Sequence, residues 1–432
     1  MTTTKFFRWA WVALVGVAGC GRAGDSVEEP AEVAPVVGQA PAATAAVAGR
    51  DLAIALRAES AALLSMRATL TGGTRIFPQA WYDAIGAAYE STSVGSALDA
   101  ENLVDDWRIV SLRLAPCEPI GQAPSHDVAR VCWPQVRLVW QPVLPGFSRD
   151  GIGSDTYVDD RAVHALYDAP AATALSASEA ARAASLRAAI ASYTSAWHGG
   201  PYQPLGAADL AEFTTLRDRV SFALLDAALA LRSASLPASA YNGVGLRPEA
   251  GAAEELALRG RLLGLLSTYA RPTSLTALTS FSLPEGRQPA LLDEWVFLSF
   301  RGAGGSLVRE NVVIRSAVDG QPLFDFGPSE SSSMARDDAS IYDAVEEDPA
   351  LGAQVAASVV LFNADRARLG PTLRDRSKLL VPNTSCASCH KLNPLRFDFH
   401  NFSYLEDREL TVSPRVATDV ALDLVWTAQR GR

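Results

Sequence analysis

Two runs, "DWRIVSLRLAPC" (106–117) and "VCWPQVRLVWQPVL" (131–144), decide the reading of the fold. They are rich in Val, Leu, Ile and Trp, and the stretch between them carries Pro and Gly, so each reads as a strand and the pair as neighbours joined by a loop. In the second run Val136, Leu138 and Trp140 alternate with Arg137 and Val139. A period of two puts the first three on one face of a half-buried antiparallel strand.

Working outward, "DLAIALRAESAALLSMRATL" (51–70) has apolar residues at helical spacing, and Asp51 stands at a plausible N-cap. The middle of the chain reads as three helices: residues 176–197 with Ser176 or Ser178 as cap, residues 209–236 before Pro237, and residues 249–270 before Arg271-Pro272. "EWVFLSFRGAGGSLVRENVVIRSAV" (294–318) gives two strands around Gly302-Ala303-Gly304-Gly305. No helix follows and the Lys-Ser/Thr pair of a phosphate loop is missing, so this is a hairpin turn. Residues 348–370 read as a helix. Residues 413–430 form a last one, with Ser413 as N-cap and Pro414 at the first helical position. The expected class is α+β, mainly α-helical. An N-terminal helical and antiparallel-sheet region over 51–330 precedes a small helical module over 331–432, for which Val420, Leu422, Leu424, Val425 and Trp426 offer apolar cover.

The chain opens "MTTTKFFRWAWVALVGVAGC". Lys5 and Arg8 supply a positive start, and Trp9 to Ala18 an apolar stretch too short to span a bilayer. Val17-Ala18-Gly19-Cys20 resembles a bacterial lipobox. That resemblance implies a signal peptide over 1–19, lipidation of Cys20, and a cell-envelope location. Gly21 in place of Asp points to the outer membrane, facing the periplasm. Residues 20–50 are rich in Ala, Pro, Glu and Val without aromatic residues, and read as a disordered tether.

This compartment organises the five cysteines. Cys20 takes lipid. Cys117 and Cys132 flank the loop between the two strand runs, and in an oxidising compartment they are expected as a disulfide. The remaining pair stands in "NTSCASCHKLNPLRFDFHNF" (383–402), where Cys386-Ala-Ser-Cys389-His390 is C-x-x-C-H. Two thiols one helical turn apart can add to the two vinyl groups of one porphyrin, and the adjacent imidazole can ligate the iron. A redox dithiol would follow a βαβ pattern, which is missing. Half a zinc site would need a second Cys pair, and Cys117 and Cys132 are otherwise engaged.

Residues Cys386 to Phe402 resemble the C-x-x-C-H modules of bacterial c-type cytochromes, in particular planctomycete-type cytochrome domains. There the motif runs on into Asp-Pro-Leu-Gly-Phe and Glu-Asn-Phe. Here Asn393-Pro394-Leu395-Arg396-Phe397 and His400-Asn401-Phe402 fill those places, with Arg396 for Gly, His400 for Glu, and one residue fewer between His390 and the proline. The resemblance implies one haem c per chain, iron included, held by Cys386, Cys389 and His390. The layout of lipobox plus single haem is similar to myxobacterial envelope lipoproteins.

The sixth iron ligand stays open. No Met follows His390; Met66 and Met334 are those of the mature chain. Met334 sits in the polar "SESSSMARDD". His400 lies ten residues after His390, beyond a helix-stopping Asn-Pro, yet alternation in "LRFDFHNF" could put it on the wet face of a short strand. His400 and Met334 are both candidates, and so is an open or water-bound site. His126 lies in the disulfide loop, and His164 and His198 read as surface or capping histidines.

The net charge of −10 becomes −12 once residues 1–19, with Lys5 and Arg8, are removed. That disfavours nucleic acid and anionic membrane as partners, leaves the lipid as the only membrane contact, and permits a basic redox partner protein in the envelope. The chain carries no H-E-x-x-H, no nucleophile elbow and no second C-x-x-C-H. The expected function is a membrane-anchored c-type cytochrome transferring electrons, a carrier rather than a catalyst. Two alternatives stand beside it: a haem enzyme or small-ligand sensor with open iron, and a binding or structural lipoprotein in which haem is accessory.

Overall fold

The computed structural model describes residues 46–90, 105–120, 131–147, 154–158, 162–195, 204–248, 250–282, 296–310, 315–318, 321–325 and 414–431. Their strands are β1 (Ala53–Ala55), β2 (Trp107–Pro119), β3 (Cys132–Phe147), β4 (Ser154–Val158), β5 (Ala162–Asp168), β6 (Gly245–Leu246), β7 (Leu275–Ser282), β8 (Val296–Ala303), β9 (Ser306–Glu310), β10 (Arg315–Val318) and β11 (Gln321–Asp325). The helices are α1 (Gly49–Leu52), α2 (Gln79–Glu90), α3 (Ala177–Ser195), α4 (Ala207–Leu229), α5 (Ala252–Tyr269) and α6 (Pro414–Gln429).

A nine-stranded sheet runs β6-β1-β2-β3-β5-β7-β8-β9, with β4 paired to the far end of β3. β1 and β6 pair parallel and the other ladders are antiparallel. β10 and β11 form a separate hairpin. The register fixes two faces. Leu112, Leu138, Ala165, Leu278 and Phe300 line up across five strands and are all buried. Leu258, Leu262 and Leu266 of α5 and Phe213, Val220 and Leu224 of α4 join them in one core. The opposite face carries Arg113 opposite Arg137, and His164 opposite Thr279. This is the alternation that Val136, Leu138 and Trp140 announce, and those three are fully buried.

The expectation of a mainly helical chain ending in a small helical haem module is overturned. The described residues are built on a large mixed sheet, and α6 lies in the same compact unit as that sheet, docked on β2. The reason lies in α6 itself. Asp419 and Asp423 are wholly buried on its packed side and need a cation, which β2 supplies. The expected apolar cover is divided accordingly: Val420 and Trp426 are buried, Leu422 and Leu424 half-buried, and Val425 exposed.

The helix expected over 51–70 is also overturned. α1 ends at Leu52, and Ala53–Ala55 turns into a strand between β2 and β6. The chain then runs beside β2 without a regular period: Leu56 N–H donates to Val110 O, Ile109 N–H to Leu64 O, and Met66 N–H to Trp107 O. Backbone pairing with an available strand edge outweighs the helical spacing of the leucines. α1 begins at Gly49, inside the stretch read as tether. Arg50 there donates to Leu246 O at 3.0 Å and Ala240 O at 2.9 Å.

The other central expectations agree with the fold. Ser176 opens α3: its N–H donates to Glu179 Oε2 at 2.8 Å, and its Oγ accepts from Glu179 N–H at 3.4 Å. The β8–β9 hairpin turns on Gly304 and Gly305, with φ of 60° and 97°, angles that suit glycine. Sequence reading left out α2, β5 and β7. α2 is tied to the same hairpin by Trp81, whose Nε1–H donates to Gly305 O at 2.8 Å. The helix expected over 348–370 lies outside the described residues.

Candidate functional site

Cys386, Cys389, His390, His400, Met334 and Cys20 lie outside the described residues, as do His126 and His198. Cys117 and Cys132 are described and form a disulfide between β2 and β3, with Cα atoms 5.1 Å apart. A β-bulge between Ala115 and Glu118 brings Cys117 to face its partner beside the Pro119–Cys132 pair.

Around that disulfide the structure assembles a site that the sequence does not suggest. Cys117, Cys132 and Trp426 of α6 pack as one buried cluster. α4 lies alongside: Ser221 donates its hydroxyl to Pro116 O at 2.6 Å, and Arg217 Nη1 stands 3.3 Å from Cys132 Sγ. Arg217 is wholly buried. Its Nη2 and Nε donate to Asp218 Oδ1 at 2.6 and 2.9 Å, and Arg430 reaches Asp218 Oδ2 at 3.1 Å. Both guanidiniums face the Trp426 ring, at 5.5 and 5.8 Å from its centroid.

Further along β2, Arg113 Nη2 donates to Asp419 Oδ2 at 2.8 Å and to Asp423. Burial works against the Arg113 charge, but Asp423 and Asp419 outweigh it and hold the guanidinium above its usual range. Thr427 caps the same turn by donating to Asp423 O at 2.7 Å. Val420, with Val416 and Leu424 at its sides, packs on Leu52, Ala53 and Leu225. Two carboxylates four residues apart in an otherwise apolar helix were the available sequence signal for this docking.

His164 does not read as the surface histidine expected. It is half-buried on β5, and burial first, Arg137 second, pull its imidazole down to about 4. It is therefore neutral at physiological pH. Arg137 is itself paired with Glu118 of β2.

No group of three or more His, Cys, Asp or Glu is placed to hold a metal among the described residues. No described helix is long and apolar enough to cross a membrane. A small void beneath β1 and β2 is lined by Ile54, Leu56, Leu112, Leu138, Leu258 and Leu262, without a polar group to orient a ligand. The chain matches no family model, no curated protein and no solved structure.

Proposed function

We propose that the protein is a membrane-anchored c-type cytochrome that transfers electrons in the cell envelope through one covalently bound haem. The observation that carries this reading is Cys386-Ala-Ser-Cys389-His390. The donor set suits the group: two thiols for thioether bonds and one imidazole for the iron. When bound, the haem supplies one-electron redox chemistry. The chain's part is to attach it through Cys386 and Cys389 and to ligate it through His390.

Compartment supports the reading from a second side. A Cys117–Cys132 disulfide suits an oxidising environment, as does the lipobox-like Val17-Ala18-Gly19-Cys20. Lipid on Cys20 makes the outer membrane the anchor, and a redox protein in the same envelope the partner.

A pyridine haemochrome spectrum tests this. The protein is expressed in a periplasm with haem-attachment machinery and extracted with acidified acetone. Pigment that stays on the polypeptide with a thioether-type spectrum is the expected result; a colourless protein overturns the reading. One observation favours a second role for the same haem: no Met follows His390. A high-spin spectrum would turn the carrier into a ligand-binding or peroxidase-like site, whereas a low-spin spectrum points to His400 or Met334 as sixth ligand.

A further inference from the structure

Residues 46–52 and helix α6 come from opposite ends of the chain and pack on one patch of the molecule. Leu52 and Ala53 are buried with Leu225 of α4 and Val420 of α6, and Val47, Val416 and Leu424 pack around them. Arg113 of β2 holds the same helix through Asp419 and Asp423. α6 therefore rests partly on the sheet and partly on a segment only seven residues long.

That segment is fastened by polar groups on other neighbours. Arg50 reaches three carbonyls: its Nε donates to Leu246 O at 3.0 Å, and its Nη1 to Ala240 O at 2.9 Å and to Asn242 O. Asp51 is almost wholly buried. It accepts from Arg232 Nε at 2.8 Å, from Arg232 Nη2, and from Ala48 N–H at 2.7 Å. Arg232 also donates to Ala46 O at 2.8 Å. Gly49 lies so close to Gly243 that a Cβ there would stand 2.1 Å from Gly243 O. Charge-assisted hydrogen bonds to a buried carboxylate fix one geometry, so the segment is seated or released as a piece rather than sliding. Its fastening faces Arg232 and residues 240–246, whereas its apolar side chains, Val47 and Leu52, face α6.

We propose that residues 46–52 are a strap that latches on Arg232 and residues 240–246 and thereby holds α6 on the sheet. Unlatching takes Val47 and Leu52 away from Val420, so α6 loses part of its apolar support and loosens. By linkage the reverse also holds, and loosening α6 unseats the strap. The device couples what precedes residue 46 to what precedes Pro414, the start of α6. It does not need haem. On the proposed function, though, a pull on the tether, or a protein that grips the strap, frees the C-terminal end of the segment that bears Cys386, Cys389 and His390.

Hydrogen exchange by mass spectrometry on the full-length protein tests this, with wild type compared with Arg50→Gln and Asp51→Asn. Both variants weaken the latch and leave every α6 side chain in place. Peptides within 419–427 are expected to exchange about tenfold faster in each, a coupling within the range for residues sharing one packed cluster, with peptides from β5 and β7 unchanged. Val420→Ala is the reciprocal variant, and peptides within 47–52 should then exchange faster. Faster exchange at 47–52 in Arg50→Gln with α6 unchanged makes the segment an independent arm and overturns the proposal. Unchanged exchange at both places removes Arg50 as a latch and overturns it too. So does loss of protection throughout, β5 and β7 included, because the segment would then be part of the global fold. If Asp51→Asn does not fold, Arg50→Gln decides, since its partners are backbone carbonyls and its loss leaves no charge buried at them.

Discussion

Arg113 is the residue on which α6 depends. It faces Asp419 and Asp423, both buried, so removing the cation takes a charge partner from two desolvated carboxylates. Arg113→Met is expected to cost about 3–5 kcal/mol in urea unfolding, the range for breaking a buried ion pair from one side. The triple variant Arg113→Met, Asp419→Leu, Asp423→Leu should recover most of that loss, because an apolar cluster carries no desolvation cost. A single variant as stable as wild type would show that the cluster is not formed in solution.

His164 sets a pH dependence. Its folded value of about 4 lies below the ordinary histidine value of about 6.5, so the unfolded chain takes up the proton first as pH falls. The contribution to stability is complete above the unfolded value and is lost as pH drops towards the folded one. Between about pH 6.5 and 4, wild type should lose up to about 3 kcal/mol more than His164→Gln. Parallel stability curves for the two would remove His164 from the account.

At the scale of elements, the β2–β3 pair is the centre of the molecule. β2 holds β1 on one side, β3 on the other and α6 on its polar face. The disulfide staples the pair across 15 residues, and opening a loop of that length costs about 3 kcal/mol by the loop-entropy argument. The Cys117→Ser, Cys132→Ser double variant should therefore melt lower, with a lower urea midpoint and a slope at least as steep as wild type, because the freed denatured chain exposes more surface. Much of this element pattern was legible in advance. The alternation of Val136, Leu138 and Trp140, the capping box at Ser176 and the glycines of the β8–β9 turn are local signals, and the structure uses each locally. The segment 51–70 was not legible, because its leucines are buried by a strand more than forty residues away in sequence rather than by a helical face of their own. β5 and β7 were missed for a related reason: "AVHALYD" and "LTALTSFS" are short and mixed in pattern, and became strands by pairing with each other and with β3 and β8.

At the scale of the whole molecule, the C-x-x-C-H segment is bracketed by parts of the sheet-bearing unit, with β11 before it and α6 after it. On the proposed function, Cys389→Ser or His390→Ala should abolish stable haem while leaving the far-ultraviolet dichroism and the urea midpoint of that unit near wild type. β2, α4 and α6 are held to one another through Arg113, Asp419, Asp423, Ser221 and Trp426. Global loss of secondary structure in either variant would show that haem and sheet fold as one.

What the sequence determined by itself were features that act over a few residues: the strand period around Trp140, the caps and turns, the thiol and imidazole spacing of Cys386, Cys389 and His390, and the lipobox-like residues before Cys20. Each depends on side-chain chemistry at fixed short separation, so each is visible in one dimension. Tertiary structure alone decided that α6 belongs to the sheet, that Arg113 meets Asp419 and Asp423, and that Arg217, Trp426 and Arg430 converge on the Cys117–Cys132 disulfide. Those pairings join residues up to 310 positions apart. They are selected by burial, where a charge must find its counter-charge wherever the chain brings one.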